Sequence, residues 1–311
     1  MASGDWIALG SAIVAVVALA VAGLAYRQQR VTQRRTDEQQ LNDLIEKLQD
    51  GLAGVSRPQG TMAFEAYATE NAAKLAGLLG QAIEAKELIH GSGIRPNWFQ
   101  SMVLAYSFSQ AWDPAAAIEY WKNAVDVSKP EHQEAGRKPD YQAYIHSLAA
   151  RAEFYYNRGL KNGTDGGKDD WQRARDDYDA ALKLLLNDPD KQGPDLSRQQ
   201  AASFLVGQAG FELSMVADKA KAVNLIADAF GQADSIAVEW RRVTALQNIG
   251  DCIVMMQGRL TPKPDLVTPV AAELNRRQVD ISRFPDRVAT LLLPAPGSNP
   301  DRPATHYGAK A

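Results

Sequence analysis

The 311-residue chain has a single cysteine, Cys252, and four histidines, His90, His132, His146 and His306, each in a different segment. A lone cysteine rules out an internal disulfide, which suits a reducing compartment. No histidine is spaced with cysteine or carboxylates as metal ligands are, so no metal site is expected. Neither a G-x-x-x-x-G-K-[ST] loop nor a G-x-G-x-x-G turn is present to cradle a phosphate, and no cofactor is implied. The stretch Gly163-Thr164-Asp165-Gly166-Gly167-Lys168 lacks the preceding strand and the Gly-Lys-Ser/Thr ending, and reads as a flexible insertion. No segment alternates apolar and polar residues between turn signals, so no strand is expected. An excess of one charge is missing too. With 34 basic and 37 acidic residues, the chain has no broad cationic surface to displace counterions, and nucleic acid is not an expected partner. Nothing marks an enzyme; the only pair to nominate is His146 with Glu153, seven residues apart on one helical face.

What is present begins after a short segment, residues 1–5. Trp6 to Tyr26 is a run of 21 residues without charge. As a helix it would span roughly 31 Å, matching a bilayer core of about 30 Å. Trp6 and Tyr26 stand at its ends, where aromatic rings favour the interface. Ala20-Val21-Ala22 would serve as a cleavage site, yet the residues before the run carry Asp5 and no basic residue. The run, residues 6–26, is therefore expected to remain as a transmembrane helix. Arg27, Arg30, Arg34 and Arg35 follow directly, which predicts a single-pass cell-membrane protein with its N-terminus outside and its C-terminal domain cytoplasmic. The same arginines would contact anionic headgroups. The alternative keeps the architecture and reverses the topology, giving an envelope-facing assembly factor or chaperone.

Residues 27–55 form an expected juxtamembrane amphipathic helix with Leu41, Leu44, Ile45, Leu48 and Leu52 along one face. This stripe either packs on the chain's own domain, the preferred reading, or pairs two copies as a short coiled coil. Small residues at four-residue spacing, such as Ala8/Ala12, would also let two anchors approach.

Residues 61–277 read as helices separated by Pro/Gly breaks, and the fold class is all-α. Three segments share a spacing of alanine, a large residue four positions on, and alanine three later: Ala117/Trp121/Ala124, Ala174/Tyr178/Ala181 and Ala222/Ile226/Ala229. This pattern resembles the second helices of tetratricopeptide (TPR) repeats. Intervals of 57 and 48 residues between the first alanines exclude a strict 34-residue array. A further helix over 234–257, with Trp240, Leu246, Ile249, Ile253 and Met256 inward, would close the stack, and Cys252 would pack as a small hydrophobe. Asp169-Asp170 and Asp176-Asp177 read as solvated surface.

The resemblance implies an α-solenoid of antiparallel hairpins whose first helices line a groove for a protein or peptide partner. Carried onto this chain, the inward positions are Phe99, Met102 and Tyr106, then His146, Glu153, Tyr156 and Asn157, then Phe204, Phe211 and Met215. Gly210 takes a close-contact position between helices. The Lys/Asn set by which some members hold a C-terminal carboxylate is not recognisable. The expected function is a membrane-anchored scaffold or adaptor, with homo-oligomerisation through the anchor or juxtamembrane helix as a further expectation. Residues 278–311 read as a Pro-rich, partly disordered tail.

Overall fold

The computed structural model describes the backbone of residues 3–55, 71–133, 140–187, 193–259 and 264–293; side chains are described from Arg27 onward, except those of Thr164, Asp165 and Arg259. Among these residues there are eleven α-helices and no strand. They fall into two compact units that separate at Val127.

The first unit is built from α1 (Ser3–Gly54), α2 (Ala72–Ser92), α3 (Trp98–Gln110) and α4 (Pro114–Ser128). Leu41, Leu44, Ile45 and Leu48 are buried, where α1 meets α2 and α3. Four of the five stripe residues are thus packed within their own unit, and Leu52 is half-buried. Gln100 on α3 donates to Asn42 at 2.8 Å, and Lys74 on α2 to the Gly54 carbonyl at 2.8 Å. A reciprocal capping box between Asn97 and Gln100 starts α3, both bonds at 2.9 Å.

No helix among the described residues is long and apolar enough to cross a membrane. This corrects the expected architecture of a transmembrane helix leading into a solenoid, and with it the cell-membrane localisation. The described side chains of α1, from Arg27, include four arginines followed by Asp37, Glu38, Asp43, Glu46, Lys47 and Asp50, a density of charge no bilayer core accepts. Arg27, Arg30, Arg34 and Arg35 are exposed, and Arg34 pairs with Glu38 at 3.0 Å one turn on. The side chains of Trp6 to Tyr26, on which the expectation rested, lie outside the described residues.

The second unit contains α5 (Tyr141–Gly166), α6 (Lys168–Asn187), α7 (Pro194–Phe211), α8 (Lys219–Asp234), α9 (Glu239–Arg259), α10 (Val267–Arg276) and α11 (Asp286–Leu292). α5 pairs with α6 and α7 with α8, and the layers stack: α7 lies on both α6 and α9, and α8 on both α9 and α10. This is a helical repeat-like arrangement. All nine residues of the alanine triads are buried. Small residues above and below a large one allow the backbones to approach while the large side chain fills the space between them.

The α5/α6 hairpin is the tightest pairing. Gly163 breaks the helical path of α5 with φ 74°, and Gly167 makes the turn into α6. A methyl group at Gly159 would overlap the Trp171 indole, so only glycine lets this ring lie on the α5 backbone. Arg151 grips Asp177 with two bonds of 2.8 and 2.7 Å, and Arg158 grips Asp170 in the same two-pronged way. Asp170 and Asp177 are buried, which corrects their reading as solvated surface; Asp169 and Asp176 are exposed. The Gly163–Lys168 segment is the end of one helix and a one-residue turn rather than an insertion.

Helices α7 to α11 share one apolar core. The chain does not end its fold at Arg277. Ile281, Phe284, Val288 and Leu292 are buried in this core, and Phe284 stacks on Phe230 with ring centroids 5.3 Å apart. The boundary expected at residue 278 therefore moves to 293, and the stack continues past α9 through α10 and α11. Residues 294–311 lie outside the described residues.

Gly159→Ala should destabilise the chain by about 1–3 kcal/mol, the cost of forcing a methyl group into a filled contact. Urea unfolding followed by circular dichroism reads this as a lowered midpoint; an unchanged midpoint would mean that the indole moves aside without cost.

Candidate binding groove

Gly193, with φ 97°, and Pro194 at the first helical position set the start of α7. One face of this helix, carrying Ala202, Leu205, Val206 and Ala209, is buried in the core. Ser203, Gly207, Gly210 and Ser214 follow one another at intervals of four, three and four, so they lie on one strip. Beside them runs α9. Its Leu246, Ile249 and Ile253 are buried, while Asn248, Cys252, Met255 and Met256 face α7 across an open trough of about 650 Å³. Phe211 lines the same trough.

A second recess of about 410 Å³ continues the trough toward the beginnings of α7 and α9; Ser203 lines both. Its walls are more polar, with Gln142 and His146 from α5, Gln199 and Gln200 from α7, and Trp240 and Arg241 from α9. Trp240 to Met256 covers roughly 24 Å of helix, which is the length of the groove as a whole.

The two helices run parallel. The Asp195 carboxylate near the start of α7 accepts the Ala237 and Val238 N–H groups before α9, both at 2.9 Å. Those two backbone bonds lower the Asp195 pKa. At the other end, a Cβ on Gly210 would meet only Met256 Sδ, at 3.9 Å. The Arg241 guanidinium lies 4.6 Å from the Trp240 ring and donates to Gln199 Oε1 at 3.2 Å. Burial and then the neighbouring Asp251 carboxylate push the Cys252 thiol up, which keeps it protonated and unreactive.

The far end of the groove rests on a buried charge. After Phe211 the helix widens into a π-turn, Glu212–Val216, closed by Ala217 with φ 61°. Glu212 is fully buried. Its carboxylate accepts from Tyr156 Oη at 2.7 Å and from Arg175 Nε and Nη2 at 2.6 and 2.7 Å. Burial, and then the bond to Glu212, push the Tyr156 phenol well above its usual range; the same carboxylate raises Arg175.

The ten expected groove residues divide between the two units. In the first, Phe99 is exposed, Met102 is half-buried, and Tyr106 packs edge-on against Trp121 with centroids 4.7 Å apart. In the second, Tyr156 is wholly buried and belongs to the core, stacked on Phe211 at 5.3 Å. Phe204, Phe211 and Met215 gather around this aromatic cluster, with Phe204 also on the recess and Phe211 on the trough. His146 opens onto the recess, whereas Glu153 is exposed and lines neither cavity, so the nominated catalytic pair does not share one. Asn157 bonds back to the Glu153 carbonyl at 2.9 Å.

Sequence reasoning missed the floor and the second wall. Gly210 is no close-contact glycine but part of the open floor, and Trp240, expected inward, is 62 % exposed. The spacing of Ser203, Gly207, Gly210 and Ser214 was the signal for the floor. Among the described residues no cluster of His, Cys, Asp or Glu is arranged to hold a metal ion. Compared with protein-family models, curated proteins and solved structures, the chain matches none. The tetratricopeptide resemblance rests on its own residues.

Glu212→Ala would leave Arg175 half-buried beside a hydroxyl without an acceptor and should cost about 3–5 kcal/mol. Glu212→Gln, which keeps acceptors for both partners, should cost less. Chemical denaturation of the two variants tests the order, and equal losses would contradict it.

Proposed function

We propose that this chain is a helical-repeat binding module that holds an apolar helix of a partner protein in the groove between α7 and α9. The observation that carries this reading is the bare floor. Glycine inside a helix costs roughly 0.5–1 kcal/mol relative to alanine. A Cβ at Gly207 would meet nothing within 4 Å, and one at Gly210 only the tip of Met256. Internal packing therefore does not require glycine at either position. An occupant lying on the strip would use the space, since small residues let a second backbone come close.

The walls fit the same occupant. Met255 and Met256 are unbranched and adjust to irregular apolar surfaces, and Phe211 offers a ring at the closed end. An amphipathic helix is recognised through such a groove by residues one turn apart. The resemblance to tetratricopeptide repeats supports the reading of α7 as a first helix that lines a groove.

The test separates folding from binding. Gly207→Leu should leave the unfolding midpoint equal or higher, because its Cβ meets nothing within 4 Å, the trough beside it is open, and leucine improves helix propensity. It should weaken at least tenfold the binding of a fluorescent 18-residue peptide with leucines and alanines along one face. A folded Gly207→Leu variant that binds the peptide as tightly as the natural chain would refute the groove.

A further inference from the structure

Arg241 stands at the open end of the groove with no carboxylate in direct contact. No carboxylate lines the recess, and Arg241 makes no ion pair with any described residue. Its two neighbours, the Gln199 amide and the Trp240 ring, are neutral. Asp195 acts on it only through space, and that carboxylate is taken by the Ala237 and Val238 N–H groups. Arg151, Arg158, Arg175, Arg242 and Arg277 in the same unit each grip an acidic side chain, whereas Arg198 near the start of α7, like Arg241, bonds a neutral acceptor, the Ser235 carbonyl. A half-buried guanidinium held by neutral groups is a site prepared for an anion, since its planar fork matches a carboxylate.

The surroundings reinforce this polarity. α7 and α9 are parallel and both begin at the Arg241 end, so their positive dipole ends lie there. The rest of the groove is lined mainly by apolar side chains; its one carboxylate, Asp251, is paired with Arg287 at 2.7 Å. A helix lying antiparallel to both would present its last turn, with its unpaired carbonyls, to Arg241.

Resting on the groove assignment above, we propose that the occupant is an apolar helix antiparallel to α7 and α9, with an Asp or Glu in its last turn that pairs with Arg241. The apolar stripe fills the trough over Gly207 and Gly210, and the acidic residue sets direction and register.

Three synthetic 18-residue helical peptides with one shared Leu/Ala stripe test this on the full chain by fluorescence anisotropy. One carries Glu in its last turn, one Glu in its first turn, and one Gln at both places. The last-turn Glu peptide should bind about fivefold or more tightly than the Gln peptide, a preference that shrinks at high salt. Arg241→Gln should abolish the preference, bringing the last-turn Glu peptide to the affinity of the Gln peptide on the same variant, and Arg241→Lys should restore part of it. Arg241 makes one neutral hydrogen bond at the surface, and a melting curve verifies that both variants fold.

Equal binding of all three peptides, with Gly207→Leu weakening each, would overturn the acidic contact and leave the groove standing. Preference for first-turn Glu would overturn the antiparallel placement. No binding by any peptide, or binding indifferent to Gly207→Leu, would remove the groove assignment and this proposal together. Dodecanoate is included as a separate probe. Arg241-dependent binding of that acid without peptide binding would assign the site to an acyl carboxylate and overturn the helix.

Discussion

The Glu212 carboxylate is the constraint on which the second unit depends. A charge with no exposure to water is tolerated only when its lone pairs are filled, and Arg175 from α6 and Tyr156 from α5 fill them. The result ties the α5/α6 hairpin to the end of α7 at a single point. Because Glu212 opens the π-turn, its position also fixes where Phe211 and Ser214 stand at the closed end of the groove. Widened turns of this kind occur often where a helix must redirect side chains.

The groove's chemistry follows from a division of labour along α7. Its inner face is fully used by the core, and its outer face is left without bulk. Across from it, α9 supplies sulfur and apolar side chains in the trough and a cation at the mouth. A surface that is mainly apolar, with its one carboxylate paired to Arg287 and a cation at the mouth, selects an occupant by both burial and direction.

Much of the helical framework was legible because breaks at Gly93, Lys129-Pro130 and Gly193-Pro194 interrupt long stretches of good helix formers. The alanine triads were legible as buried positions for the same packing reason that makes them recur. The burial of Asp170 and Asp177 was not, because their partners sit on another helix. Yet Arg151 with Asp177 and Arg158 with Asp170 are mirrored about residue 164, as ion pairs across a hairpin must be. The folded segment 278–293 was hidden by the proline-rich residues that follow it, although Ile281, Phe284, Val288 and Leu292 recur at three- and four-residue intervals. The apolar run before Arg27 dominated the expectation of a membrane span, whereas no helix among the described residues is long and apolar enough to cross a membrane. The groove was only half visible. Aromatic and polar residues announce themselves, whereas a floor of glycine and serine is defined by what it omits.

The bidentate arginine–aspartate ladder between α5 and α6 sets that hairpin apart from α7–α11, which an apolar core holds. The cost of stripping water from charges falls on heating, while the gain from burying apolar surface levels off. In a stack where each pair leans mainly on its neighbours, strength is distributed along the chain rather than shared evenly. Warming therefore shifts the balance toward the hairpin. The groove lies mainly on the apolar part of the stack, whose hold gains less from warming than that of the ladder.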